Sequence, residues 1–202
     1  MNKWMVTMVV LMVAGSAMAQ FSGLPIGGGA AATEAGALAA SGGVVLGDEF
    51  NLYGGRMSFA PAAGLSLFGD LGAFDPDLGD MGVALQGGAL FTLPVDLPVD
   101  LGLRGTIGWT EFEMLGFDAD SLGINGGLVV SKTFDMLTPY GYIGINYVDA
   151  TVETELADVS EDETDIALAG GLSVALNNQV SLYGEIAYID DVFFGLGGRI
   201  AF

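Results

Sequence analysis

The side chains able to do chemistry in this 202-residue chain are almost all carboxylates. Aspartate and glutamate number 25 against 5 lysines and arginines, and the sequence contains no histidine and no cysteine. The densest group is Asp158, Glu161, Asp162, Glu163 and Asp165. Carboxylate oxygens ligate hard divalent cations such as Mg²⁺ and Ca²⁺, so this group is the candidate metal site. Its spacing is not that of an EF-hand loop, and any divalent cation there would be weakly bound. No other cofactor is expected. Catalysis finds no support either. Ser121, Ser131, Ser160, Ser173 and Ser181 have no histidine to activate them, and the commonest general base is missing altogether. The neighbouring acids Asp190 and Asp191 read as a solvated turn. The glycine-rich stretches lack the lysine and helix start of a phosphate-binding loop. The chain thus reads as a non-enzyme, without disulfides. A net charge of -20 excludes nucleic acid as a partner, because phosphate binding needs basic patches.

A second, sparser set of charges is interleaved with apolar residues. Arg56, Asp70, Arg104, Glu185 and Arg199 each occupy the parity opposite to that of neighbouring leucines, isoleucines and aromatics. Alternation with a period of two is a strand signal. If one face of each strand meets lipid, these five charges point into an enclosed interior, with Tyr140, Tyr142, Asn146 and Tyr183 nearby. Charges there need partners. Arg104 and Glu185 lie at similar heights above their turns, as do Arg56 and Arg199. The set reads as a plug of ion pairs bracing the wall or, alternatively, as a constriction that filters ions.

The elements that would position these groups announce themselves as repeats. A Gly-Gly core recurs in Leu52 to Phe59, Leu85 to Phe91, Ile124 to Val129, Leu168 to Val174 and Phe194 to Phe202. A Gly-containing strand alternates with it, as in Leu67 to Gly72, Leu103 to Gly108, Pro139 to Gly144 and Leu182 to Ala187. The doublet keeps no single parity, and relief of backbone crowding in a narrow barrel is its expected cause. Strands are predicted over 49–59, 64–74, 82–93, 99–112, 121–134, 139–149, 164–176, 180–189 and 192–202. An up-and-down barrel whose two chain ends share one side needs an even number. The stretch 37–46, with Leu38, Ala40, Gly42, Val44 and Leu46 on one face, is the expected tenth. The fold class is therefore all-β: an antiparallel transmembrane up-and-down β-barrel of 10 strands, with 8 as the alternative.

Residues 1–19 read as a signal peptide: a basic Lys3, an apolar stretch from Trp4 to Ala14, and a small-residue cleavage site ending at Ala19. Residues 20–36 read as a flexible periplasmic arm, and 37–202 as the barrel. Tight turns at one end (60–63, 94–98, 135–138, 177–179) contrast with connections at 75–81, 113–120 and 150–163 at the other, joined there by Asp190-Asp191. All acidic residues except Glu34, Asp70, Asp96, Asp100, Asp135 and Glu185 fall at this second end, which becomes an acidic extracellular rim with a mobile 150–163 loop. Lys132 falls on the lipid side near the opposite end, where it can snorkel.

With its signal peptide, glycine-containing hairpins and terminal Phe202, the chain resembles the small outer-membrane β-barrels grouped around the OmpA and OmpX barrels and the opacity-type proteins. The resemblance implies a bacterial outer-membrane location and a monomer among outer-membrane lipids and lipopolysaccharide. It also implies that the last strand, with Leu196, Gly198, Ile200 and Phe202 in the matching positions, is read by the outer-membrane assembly machinery. Ten strands depart from the eight of those families. The function expected is a structural or surface role. The alternatives are a small passive channel favouring cations, and an adhesin or receptor acting through 113–120 and 150–163.

Overall fold

The computed structural model describes residues 23–77, 79–114, 117–152 and 159–202. Ten strands run up and down: β1 (Leu38–Leu46), β2 (Phe50–Ala62), β3 (Leu65–Pro76), β4 (Asp80–Thr92), β5 (Asp100–Met114), β6 (Phe117–Ser131), β7 (Leu137–Val152), β8 (Val159–Ala175), β9 (Val180–Ile189) and β10 (Asp191–Ala201). Each pairs antiparallel with its neighbours, and β1 pairs with β10, so the sheet closes into a barrel without free edges. The tenth strand lies where the sequence placed it. Its seam with β10 runs from Ala39↔Ala201 to Leu46↔Phe194, and the Phe202 amide donates to the Leu38 carbonyl at 2.9 Å.

Period-two alternation sorts the side chains as expected. Leu67, Leu71, Leu103, Ile107, Ile143, Ile145, Leu168, Leu172, Leu182 and Ile186 all face outward and exposed, as do Phe194, Leu196, Ile200 and Phe202 in β10. Exposed apolar surface this extensive is foreign to a soluble monomer. Outward aromatics flank it. Tyr53, Tyr147 and Tyr188 lie toward the end carrying the longer connections, hereafter the loop end; Phe59, Phe91, Phe134 and Phe202 lie toward the turn end. At the turn end, Gly64 and Asp135 hold positive φ, and the Asn177 side chain accepts from the Gln179 and Val180 amides, giving the tight reversals these residue types favour. Lys132 lies over the Phe134 ring at 5.4 Å, on the outer side.

The structure departs from the sequence reading at the loop end. The expected loops at 113–120 and 150–163 are largely paired strand: β5 and β6 pair as far as Met114↔Phe117, and β7 and β8 as far as Val152↔Val159. Thr151, Val152, Val159 and Thr164 are β-branched residues that favour extended backbone, and they carry the ladder past the lipid-facing zone. Residues 153–158 lie outside the described part, as do 1–22, which contain the expected signal peptide.

The glycine doublets also receive a different explanation. One glycine of each faces the lumen, and several of these lie against an aromatic ring or its hydroxyl: Gly171 against Tyr140, Gly127 against Tyr142, Gly43 and Gly197 against Tyr183, Gly88 against Phe68; the single Gly144 also lies against Tyr142. A Cβ at these positions would strike the aromatic side chain. The parity of the doublet varies because the inward site is what matters: it is the floor on which a lumen aromatic lies.

Candidate functional site: a filled lumen beneath an acidic rim

Inward residues fill the barrel in layers. Nearest the loop end, Phe50 packs against Phe74 and Phe193 with ring centroids 4.7 and 5.3 Å apart, and Phe74 against Phe112 at 5.2 Å. Leu52, Val45 and Ile189 complete this apolar layer, all buried. Sequence parity could have placed these rings inside, since each occupies the face opposite to the lipid-facing leucines.

Below it lies the polar layer, and all five charges named from the sequence are in it. Arg56 and Asp70 are cross-strand neighbours on β2 and β3. They form a bidentate pair, Nε to Oδ1 and Nη2 to Oδ2, both 2.7 Å, with side chains 9% and 1% exposed. Glu185 does not bond to Arg104. It accepts instead from the Tyr140 hydroxyl at 2.9 Å and from the Ile26 and Gly27 amides at 3.3 and 3.4 Å. Arg104 donates to Gln86 Oε1 at 3.4 Å and lies 5.1 Å above the Phe68 ring, which Arg56 shares at 4.5 Å. The Tyr142 hydroxyl donates to Asn125, and Asn125 donates on to Asn146 at 3.4 Å. Arg199 is half-buried toward the turn end.

The third layer is the segment expected to be a free periplasmic arm, and here the expectation is corrected. From Gly23 the chain runs inside the barrel. Leu24 and Ala30 are 1% and 0% exposed. The Arg56 guanidinium donates to the carbonyls of Leu24 (2.7 Å), Pro25 (2.8 Å) and Ile26 (3.1 Å), while the Leu24 amide donates to Asp70 at 2.9 Å. Further down, the Ala30 amide donates to Ser131 Oγ at 2.8 Å, and Thr92 Oγ1 donates to the Ala30 carbonyl at 2.9 Å. The arm leaves at the turn end, where the Gly64 amide donates to the Thr33 carbonyl and the Gly36 amide to that of Ala60. The physical reason is plain in retrospect. Leu24, Pro25 and Ile26 are apolar, and the lumen offers bare donors and acceptors to an extended backbone that has no ladder of its own.

Carboxylates gather at the loop end. Glu49, Asp48, Asp77, Asp190 and Asp191 converge at the loop end, where Asp190 holds a positive φ in its two-residue turn. Burial, then repulsion from Asp191, Asp190, Asp48 and Asp77, pushes the Glu49 carboxyl above its usual range. Burial followed by Asp149 does the same to Asp120, and burial followed by Asp165, Asp190 and Glu161 to Glu163. The metal candidates do not converge. Asp158 lies outside the described residues; Asp162 sits on one face of β8 while Glu161, Glu163 and Asp165 share the other. Among the described residues, no group of three or more potential ligands could hold a metal ion.

No protein-family model and no curated protein matches the sequence. Among solved structures, the chain is similar to the N-terminal β-barrel domain of OprF from Pseudomonas aeruginosa, with a TM-score of 0.41, 11% identity, and coverage of 84% of this chain and 100% of that one. It is similar to the Yersinia pestis outer membrane protein Ail in a phospholipid bilayer nanodisc, with a TM-score of 0.44, 13% identity, and coverage of 83% and 99%. The KdgM porin gives a TM-score of 0.43 at 9% identity, with coverage of 81% and 99%.

Proposed function

We propose that the chain is an outer-membrane β-barrel with a structural, surface-presenting role, whose lumen is closed by its own N-terminal segment. The observation that carries this is the arm held at mid-barrel by Arg56, Asp70 and Glu185, beneath a layer of packed phenylalanines. A narrow barrel filled in this way leaves water and ions no continuous polar path. The apolar belt between two sets of aromatics fits a bilayer, and the tilted strands are long enough to cross one. The turn end, which carries the last residue, would face the periplasm. The acidic loop end would then face outward, beside lipopolysaccharide. Weakly bound Mg²⁺ or Ca²⁺ could bridge its carboxylates to lipid phosphates there. Strand β10, through Leu196, Gly198, Ile200 and Phe202, would present the signal to the assembly machinery, and the folded protein would be a monomer without enzymatic activity.

Planar-bilayer recording on the refolded, purified protein tests the closed lumen. Silence across repeated, independently verified insertions is the expected result. Stable, cation-selective steps from the wild-type protein would displace this reading with that of a channel.

A further inference from the structure

Of the five basic residues in the sequence, three line a single cavity in the turn-end half of the lumen: Arg56, Arg104 and Arg199. Its volume is about 70 Å³, and Gly28, Tyr183 and Ser58 contribute to its wall. Among the described residues no carboxylate lines it, although the chain carries 25 of them. The two carboxylates of the polar layer are engaged elsewhere: Asp70 by Arg56 and the Leu24 amide, Glu185 by Tyr140 and the Ile26 and Gly27 amides.

The guanidinium groups are correspondingly under-used. Arg104 is 5% exposed, yet its Nη1 is buried with no hydrogen-bond partner among the described residues. Arg199 lines the same cavity beside Arg56 and Tyr183. The backbone of Gly28 and Gly29 also lines the cavity. A Cβ on Gly28 would meet nothing within 4 Å. A buried charged donor without an acceptor is costly, so a site of this kind calls for a ligand. The charge decides its sign: three guanidiniums border the cavity, and no carboxylate does among the described residues. Neutral water would satisfy the donors but not the charge.

We propose that this cavity binds one small inorganic oxyanion of phosphate or sulfate size, gripped by Arg104 and Arg199 and lined by the Gly28 amide. Guanidinium groups match oxyanions through paired charge-assisted hydrogen bonds. The volume holds one tetrahedral oxyanion or a few waters. The anion would tie the arm to β5 and β10, in a protein whose surface otherwise repels anions.

The test is a phosphate titration of the refolded full-length mature protein in zwitterionic detergent, against sodium chloride at matched ionic strength. Phosphorus-31 line broadening reads binding, and the heat-induced gel shift of the barrel reads linked stability. Saturable broadening is expected in the wild type. Arg199→Gln, which leaves the Arg56–Asp70 pair and the Glu185 bonds in place, should fold and bind about tenfold or more weakly. Gly28→Asp should fold and bind no phosphate, since its carboxylate would occupy the cavity. Lys132→Gln, on the outer wall, should bind as the wild type does. An absence of saturable binding, undiminished binding by Arg199→Gln, or equal competition by chloride would each overturn the proposal. The site rests on the arm lying in the lumen, but none of these readouts depends on whether the barrel conducts, so failure of phosphate binding and failure of the closed-lumen reading are distinguishable.

Discussion

Replacing Arg56 by methionine removes the centre of the luminal network. The guanidinium makes two bonds of 2.7 Å to Asp70 and three to backbone carbonyls of the arm, all within the barrel. Without it, Asp70 keeps a buried charge supported by the Leu24 amide, and three arm carbonyls lose their donor. Breaking one partner of a buried ion pair costs about 3–5 kcal/mol. The three carbonyls left without a donor keep Arg56→Met off the bottom of that range, at about 4 kcal/mol, or roughly a thousandfold in the folding equilibrium. The double variant Arg56→Met/Asp70→Leu removes the stranded charge as well and should recover at least half of the loss, because a buried pair exchanged whole for apolar groups is close to neutral. Urea unfolding in lipid vesicles, followed by the fluorescence of Trp109, measures all three proteins; Trp4, the other tryptophan, lies within the expected signal peptide. Amide exchange at Leu24, Ile26 and Gly27 should accelerate in Arg56→Met. A loss below about 1 kcal/mol, the level of an exposed surface pair, would refute the reasoning. So would a double variant less stable than Arg56→Met alone.

Two further perturbations separate the inner wall from the outer wall and the barrel from its rim. Gly171→Val would drive a side chain into the Tyr140 ring and should cost about 1–3 kcal/mol, whereas Gly170→Ala, whose Cβ meets nothing within 4 Å on the outer side, should change stability by less than about 0.5 kcal/mol; the same urea series distinguishes them, and equal losses would contradict the role given to the inward glycine. Glu49, Asp120 and Glu163 have carboxyl groups raised above their ordinary values in the folded barrel. The folded state therefore binds their protons more tightly than the unfolded state, and their contribution to stability falls as pH rises from the ordinary carboxylate range through the raised values. The unfolding midpoint should climb on acidification from neutral pH toward 4.5, the ordinary Glu49 value, and Glu49→Gln should raise the neutral-pH midpoint and flatten that slope. A slope unchanged by Glu49→Gln would remove the rim from the explanation.

Much of the architecture could be read from the sequence because a barrel wall is written with a period of two. The outward Leu67, Ile107, Leu182 and Ile200 and the inward Arg56, Asp70, Arg104 and Glu185 follow from parity alone. The tenth strand, Leu38–Leu46, followed from counting, since the chain's ends had to share one side. Partners within the lumen did not follow. Heights above the turns suggested Arg104 beside Glu185, but the stagger between strands, which no local pattern encodes, brought Asp70 to Arg56 and Tyr140 to Glu185. The arm was missed for a related reason. Residues 23–33 have no period, because their backbone bonds go to side chains rather than to a ladder; the signal available was the apolar Leu24-Pro25-Ile26 in a segment that a solvated tether would fill with polar residues. The strand extensions past Thr151 and Ser160 were read as loop because acidic composition outweighed their β-branched neighbours.

The central claim is that the N-terminal segment occupies the barrel, and a designed cross-link reads it directly. A Cβ on Gly102 would lie 3.1 Å from that of Ala30, near the separation a disulfide requires. The chain has no cysteine of its own, so the double variant Ala30→Cys/Gly102→Cys carries a single possible bridge. The account predicts that this bridge forms in nearly every refolded molecule, while Ala30→Cys/Gly105→Cys, with its second thiol on the lipid-facing outer wall, stays reduced and only its outer thiol reacts quickly with an apolar, membrane-permeant maleimide. Free, rapidly labelled thiols at positions 30 and 102 in the folded barrel would place the arm outside the lumen and contradict the account.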